Sequence, residues 1–571
     1  ARVDINSLLS SSFIFIYHKN IMATPTLAHF KLPQIDNEPM LNYAPGSAER
    51  IKIEAAVKAM VAQGTVEIPV VINGEKIFTG KVSEQLNPSN HKSVVAKFHE
   101  ADAVLTQRAI DGALAAKEKW ESLPFNDRVA VFLKAADLLA TKYRYKVMAA
   151  TMLGQGKNIW QAEIDAAAEL CDFLRFNCKY AEEIYSQQPP KNASGTWNRT
   201  EFRGLEGFVL AVSPFNFTAI GGNLPAAPAL MGNVVLWKPS PGAVHSNYLV
   251  YEILVEAGLP AGVIQFVPGP AEEICGHAIA SPDFTSLHFT GSTHVFRKLW
   301  REIGNNIDNY KSYPRVVGET GGKNYHLLHP SLDEDGVRHA ALQTIRGAFE
   351  YQGQKCSACS RAYIPSSKFA QFKKDIVEEH AKISQGPVTE FHHFAGPVIN
   401  KFAFDKIKSY IDHIAVDDDS EIIAGGKCDD SVGYFIEPTI IVTKNKFAKT
   451  LTEEIFGPVV TIYVYEDADF EATCKLVGET TQYGLTGAFF AKDRDSIVKG
   501  SNLLRNTAGN FYINDKCTGA VVGQQPFGGG RASGTNDKAG SWSLLTRFIS
   551  TRTIKESFVP IEHFVYPSNA V

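Results

Sequence analysis

Cysteine is scarce in this chain, with eight among 571 residues. The eight fall at no spacing that would frame a disulfide-stapled domain, which argues against a small secreted scaffold and for a reduced compartment. Long apolar runs are missing as well. Nothing approaches the roughly 20 residues that cross a bilayer, and the longest early run is only Phe13–Tyr17. There is no basic cluster, and a net charge of −4 leaves no electrostatic footprint for nucleic acid. No GxGxxG follows any predicted strand, so the usual dinucleotide fingerprint is absent. Internal repeats and low-complexity blocks are absent too.

The chain does have length and a globular composition. At 571 residues, 44% hydrophobic and 21% charged, it is too long for one ordinary core, so two or three domains are expected. Residues 1–21 show no pattern of a folded domain, and Met22 reads as a candidate start. The first 35 residues are poor in acids, as a mitochondrial leader would be, but Arg2, Lys19 and Lys31 are thin for an Arg-rich one.

Apolar spacing predicts helices from about residue 51 and again through 106–183, before a Pro/Gly/Ser/Asn-rich break at 187–198. From 207 the rhythm changes. GFVLAV, NVVLW, GVIQFV and TSLHFT read as short buried strands, with a helix over Val244–Ala257 and another after FTGS. Strands separated by helices imply right-handed βαβ units and a parallel sheet, whose ligands sit at the carboxyl ends of the strands. Those ends read SPFN, WKPS, PGP and FTGS, small and polar enough for a phosphate. The second half repeats the alternation. Its strand candidates include SRAYIP, YFIEPTIIV, FGPVVTIYVY and GLTGAFFA, and residues 550–564 read as an extended edge suited to pairing with another subunit.

One segment raises a chemical question. FEYQGQKCSACSR (349–361) places Cys356 and Cys359 three apart. A structural zinc site needs four ligands, and no second CxxC exists. His392-His393 has no ligand-like spacing. A thioredoxin-like pair should open a helix after a strand, whereas here a helical stretch precedes and a strand follows. Two buried structural cysteines remain open, as does one nucleophile beside a bystander. Glu319, just before the glycines of ETGGKN, offers a base for the last case. A lone glutamate near glycines is equally a solvated loop residue.

Seven motifs occur in order: SPFNF (213–217), WKPS (237–240), FTGS (289–292), GETGGKN (318–324), the cysteine segment, EEIFGP (453–458) and PFGG (526–529). From about residue 50 to the C-terminus the chain therefore resembles the aldehyde dehydrogenase superfamily. GQKCSACSR, NDKCTGAVVGQQPFGG (514–529) and RASGTNDKAG (531–540) resemble the branch that oxidises glutamate 5-semialdehyde in proline catabolism.

The resemblance implies an α/β fold with a Rossmann-type NAD-binding domain (41–192 and 207–318) and an α/β catalytic domain (319–513). It also implies a small oligomerisation flap (193–206 and 545–571) and an N-terminal extension (1–40). It makes Cys356 the nucleophile, Glu319 the hydrolytic base and Asn216 an oxyanion donor, and leaves Cys359 a bystander. NAD would lie against Ser213, Lys238, Ser240, Gly291, Ser292, Glu454 and Phe456. NAD rather than NADP rests on the resemblance alone, since no acid that grips a ribose 2′-OH is evident. The substrate carboxylate would meet Ser357, Gly519 and Ala520, with Phe527 in the pocket and Glu169 facing the ammonium. Some relatives carry serine where Ala520 stands. No metal is implied. The implied partners are a small-molecule substrate and a second copy of the chain, in the mitochondrial matrix or otherwise the cytoplasm. Two other readings are a phosphate-activated acyl reductase, which needs no Glu319, and a crystallin-like binding protein, which should have lost Cys356 or Glu319. An aldehyde dehydrogenase of other specificity is a third.

Overall fold

The computed structural model describes residues 28–570. The expectations for residues 1–21 and Met22 lie outside the described residues. The extension from 28 onward lies against the body. Leu32 N–H donates to Glu182 Oε1 at 2.8 Å and Glu38 N–H to Asp172 Oδ1 at 2.6 Å.

Two seven-stranded sheets organise the chain. The first runs Arg315–Glu319, Phe284–Thr290, Phe208–Val212, Val234–Lys238, Ile264–Phe266, Val70–Ile72 and Glu75–Ile77. The first five are mutually parallel. Phe208–Val212 and Val234–Lys238 are buried at every residue, as central parallel strands covered on both faces must be. The predicted helix between them and Ile264–Phe266 spans Val244–Ala257.

The last two strands were not anticipated from the sequence. They form an antiparallel hairpin around Asn73-Gly74, both at positive φ, and this Asn-Gly pair is a strong hairpin signal that the sequence reading passed over. The strands Val66–Ile68, Val82–Asn87 and Asn90–His99 were missed as well.

The second sheet runs Ser420–Ala424, Thr439–Thr443, Val459–Tyr465, Cys359–Pro365, Asn324–Leu328, Thr486–Phe490 and Asn510–Ile513. All neighbours are parallel except the first pair. The single strand expected over YFIEPTIIV is two, Phe435–Ile436 and Thr439–Thr443. Pro438, with no N–H to offer a ladder, stands in the break.

The tail finds one strand partner within its own chain. Ser550–Ser557 pairs antiparallel with Thr196–Arg203 of the same chain, from Ser550↔Arg203 to Ser557↔Thr196. The strand thus has a partner in its own chain, in a ribbon of two polar strands about 350 residues apart in sequence, each with its other edge open among the described residues.

The two sheets meet where the chemistry of the motifs lies. Arg315–Glu319 ends the first sheet, and after Thr320–Lys323 the chain starts the second at Asn324. The carboxyl ends of the first sheet therefore face the amino ends of the second. Lys238, Val212 and Phe289 share one register line, with Glu319 paired to the adjoining Thr290.

Candidate active site

Cys356 lies between a short helical turn, Glu350–Gly353, and the strand Cys359–Pro365. Tyr351, Gln352 and Gly353 have φ of 51°, 54° and 65°, three left-handed residues in a row. Such a conformation costs energy in the two side-chain-bearing residues and persists only where neighbours over-determine it. Here they do. Tyr351 Oη donates to Gln155 O at 2.8 Å, and Gln352 Nε2 donates to Gly156 O at 3.0 Å and Pro397 O at 2.7 Å. A Cβ on Gly353 would stand 2.1 Å from Gly457 O, so only glycine closes the turn. Lys355 pairs with Glu350 at 3.0 Å, and Ile399 N–H donates to Gln354 Oε1 at 2.9 Å.

Asn216 sits just past Phe208–Val212, and its Nδ2 donates to Gln354 O at 3.1 Å, two residues before the thiol. The following helix, Thr218–Leu230, starts against a buried carboxylate. Asp165 accepts from Thr218 N–H at 2.9 Å and Ala219 N–H at 2.7 Å, and pairs with Lys157 at 2.8 Å. A carboxylate at a helix N-terminus satisfies orphan donors and opposes the helix dipole, so Asp165 anchors the helix that begins two residues after Asn216. Asp165 and Glu169 both lie in a π-helical turn, Glu163–Glu169, an irregularity common at functional sites.

Cys356 opens onto two cavities. The narrower one is lined by Glu169, Phe173, Glu319, Phe527, Asp537 and Lys538, among others. Its electrostatics are unusual. Burial raises the Glu319 carboxyl well above its usual range. The Lys538 charge opposes this shift and Asp537 adds to it. Glu319 Oε2 is buried without a hydrogen-bond partner among the described residues. Lys538 is held by Gly528 O at 2.7 Å and Gly509 O at 2.8 Å. Burial, then Asp165, pushes Glu169 up to about 8 against the pull of Lys157. Burial also raises the Cys356 thiol, and the charges of Glu319, Glu454 and Glu169 raise it further. The site as it stands keeps the thiol protonated and concentrates three carboxyl groups around it.

The wider cavity, of about 420 Å³, is lined by Ser213, Asn216, Ser240, Gly291, Ser292, Glu454 and Phe456 together with Cys356. Seven of the residues assigned by resemblance thus converge with the thiol on one space. Ser292 caps the helix Thr293–Asn305 by accepting from Val295 N–H at 3.4 Å, which leaves its own hydroxyl hydrogen free. Glu454 Oε1 accepts from Gly322 N–H at 2.8 Å, and a Cβ on Gly321 would stand 2.5 Å from Glu454 Oε2. Phe456, at φ 60°, turns an edge to Phe215 at 5.9 Å. Ser213 Oγ is engaged by Trp237 Nε1 at 2.5 Å. Lys238 is buried at its strand end but does not line the cavity, and burial depresses its ammonium. Donors at strand and helix ends, one carboxylate and an aromatic wall suit a dinucleotide.

The residues assigned to the substrate carboxylate are arranged otherwise than expected. Ser357 is buried and its Oγ is 2.7 Å from Thr518 Oγ1. It lines neither cavity but ties the nucleophile segment to the loop that carries Gly519 and Ala520. Gly519 has φ 99°. Sequence reasoning missed Thr518, Asp165, Lys157 and Lys538. Lys538 lies within the RASGTNDKAG motif, so a signal was present, but nothing in the motif says that its amine faces Glu319.

The model of the aldehyde dehydrogenase family matches residues 78–554. The chain is 59% identical over 551 residues to the Agaricus bisporus delta-1-pyrroline-5-carboxylate dehydrogenase, covering 96% of this chain and 100% of that protein. It is 49% identical over 540 residues to the Homo sapiens delta-1-pyrroline-5-carboxylate dehydrogenase, mitochondrial, covering 94% and 95% respectively. The crystal structure of the Mycobacterium tuberculosis delta-pyrroline-5-carboxylate dehydrogenase bound with NAD superposes with a TM-score of 0.91 at 44% identity, covering 95% of this chain and all of that one. With a match of this extent, and the cysteine held at the meeting of the two sheets, the chain belongs to the aldehyde dehydrogenase family.

Proposed function

We infer that this protein is an NAD-dependent dehydrogenase that oxidises L-glutamate 5-semialdehyde, the open form of Δ1-pyrroline-5-carboxylate, to L-glutamate. One observation carries the mechanism: Cys356, beside Phe289 and Thr290, borders both the dinucleotide-sized cavity and the pocket that holds Glu319 and Glu169, and of the three only Cys356 has a nucleophilic thiol.

Cys356 Sγ attacks the aldehyde carbon. Its proton must leave first, and Glu319, whose charge helps hold that proton, is the base positioned to take it. The oxyanion of the thiohemiacetal is received by the Asn216 amide and the Cys356 backbone N–H, each such donor lowering the barrier by on the order of 3 kcal/mol. Ser240, Gly291, Ser292, Glu454 and Phe456, with Lys238 buried at the strand end, would hold NAD, which would accept the hydride from the thiohemiacetal carbon and so leave a thioester on Cys356. Glu319 then activates water against the Cys356 thioester, and glutamate leaves. Glu169 receives the substrate ammonium, while the Gly519–Ala520 backbone, braced through Thr518 and Ser357, receives the α-carboxylate. The mitochondrial matrix is the compartment we assign, supported by the human relative's name, and the working unit is a homo-oligomer. No helix among the described residues is long and apolar enough to cross a membrane.

The deciding experiment follows NADH formation with glutamate semialdehyde and with propanal. A preference of at least about tenfold in kcat/KM for the semialdehyde is expected, the scale of one hydrogen bond to a charged group. Cys356→Ala should be inactive and Cys359→Ala should keep most activity. Equal kcat/KM for both aldehydes would sink the substrate assignment, and equal loss in both variants would sink the nucleophile assignment.

A further inference from the structure

Cys359, the bystander of the catalytic segment, is not alone. Its Sγ, Cys517 Sγ and a ring nitrogen of His326 all lie within 4.8 Å of one another. The three residues are at most 1% exposed. They come from three elements. His326 is on the strand Asn324–Leu328, Cys359 opens the neighbouring strand, and Cys517 stands in the loop two residues before Gly519.

The histidine is oriented as a ligand. Thr344 Oγ1 donates to Ala340 O at 2.7 Å, so at 2.8 Å from His326 Nδ1 it must accept, which places the ring proton on Nδ1. Nε2 then carries the lone pair, which accepts from the Cys517 N–H at 3.2 Å, so an entering cation would displace this one long hydrogen bond. A ring whose far nitrogen is held by a second residue is the arrangement found behind metal-ligating histidines.

The surrounding charge also favours thiolates. Arg361 and Lys323 are both 2% exposed. Arg361 bonds to Tyr363 Oη and Val477 O, each at 3.1 Å, and its Nε has no hydrogen-bond partner among the described residues. Lys323 Nζ donates to Ser360 Oγ at 2.6 Å. Neither cation has a carboxylate within ion-pair distance among the described residues, and both act electrostatically on Cys359. Burial holds the Lys323 ammonium well below its usual range, so Arg361 is the buried positive charge that lacks an anion among the described residues, and a metal-bound dithiolate would provide one. The space is also kept clear. A Cβ on Gly347 would come to 3.3 Å from both Cys359 Cβ and His326 Cε1.

We propose that His326, Cys359 and Cys517 form a binding site for a thiophilic d10 cation of low coordination number, copper(I) above all. Soft thiolates select such ions. Three ligands in a closed interior leave no place for the fourth that zinc takes. Both thiols lose their protons on binding, so the complex carries a single negative charge beside Arg361 and Lys323, and no electron is transferred. Occupancy would clamp the Gly519 loop to the strand that follows the nucleophile.

The test titrates Cu(I) anaerobically, in competition with bicinchoninate, into the full chain carrying Cys356→Ala, which removes the cavity thiol as a rival ligand. One equivalent should bind and raise the melting temperature, with X-ray absorption showing two sulfur neighbours and one nitrogen. Adding Cys517→Ser should weaken binding by more than about 100-fold, and Thr344→Val by roughly 10- to 100-fold, the cost of losing an outer partner. Cys359→Ser provides a second ligand deletion should Cys517→Ser fail to fold. Unchanged affinity in the ligand variants would overturn the site. So would a protein two mass units lighter with no metal retained, which would make the pair a disulfide instead.

Discussion

Asn324 holds the carbonyl of Cys356: its Nδ2 donates to Cys356 O at 2.7 Å and to Ala358 O at 2.8 Å. The amide cannot be turned over, because Oδ1 must accept the Thr486 N–H at 3.0 Å. The first residue of the second sheet thus sets the backbone of the nucleophile. Asn324→Ala should lower kcat by about 100-fold, the effect of a misplacement near 1 Å, with KM changed by much less. Steady-state kinetics decide the matter, and a rise in KM with kcat intact would show that Asn324 serves binding rather than alignment.

Glu319 gives a prediction with a sign. Its carboxyl is raised by burial, so it is ionised only on the alkaline side of its own pKa, and thioester hydrolysis should speed up as pH rises. The Lys538 charge lowers that pKa, so Lys538→Met should move the rise to higher pH. Glu319→Gln should release a burst of NADH and then stall, because acylation outruns deacylation. Rapid-quench kinetics across pH test both, and a Glu319→Gln enzyme slow from its first turnover would remove the hydrolytic role.

Glu169 titrates near 8 in the site as it stands. Below that pH the carboxyl holds a proton, and an arriving ammonium favours the carboxylate, so ligand binding should release protons below pH 8 and few above it. Calorimetry of L-glutamate binding at pH 7 in two buffers of different ionisation enthalpy measures the release. Glu169→Gln should abolish it and weaken binding by roughly 10- to 150-fold, while propanal turnover stays the same. Equal proton release in wild type and variant would place the ammonium elsewhere.

The Gly519 loop should be sensitive in two ways. At φ 99° any side chain is strained, so Gly519→Ala should displace the loop backbone at a cost of about 1–3 kcal/mol, seen as lost kcat/KM for glutamate semialdehyde but not propanal. Ser357→Ala and Thr518→Val each break the same 2.7 Å contact, so the double variant should be little worse than either single one. Additive losses would mean that Ser357 meets the substrate directly.

The parallel strands were legible because fully buried strands are near-continuous apolar runs, and the helix Val244–Ala257 was read to the residue. Val82–Asn87 was not, because its one buried residue, Gln85, is polar and gives no apolar alternation. The π-helical turn at Glu163–Glu169 was read simply as helix, since one extra residue in a turn leaves the apolar spacing nearly unchanged. The site divides the same way. Cys356, Glu319 and Asn216 sit on local turns whose residues are contiguous and can be recognised as strings. Lys538 facing Glu319, or Cys517 meeting His326 and Cys359, depends on sheet register across distant segments, which no string records.

The link Thr320–Lys323 between the two sheets is also a leash. Five residue steps separate Glu319 from Asn324, and fully extended they reach roughly 18 Å. However the two halves breathe, the edge bearing the base cannot part from the edge bearing the thiol by more than that length. The space between the sheets can therefore widen on this side only as far as four residues of backbone allow.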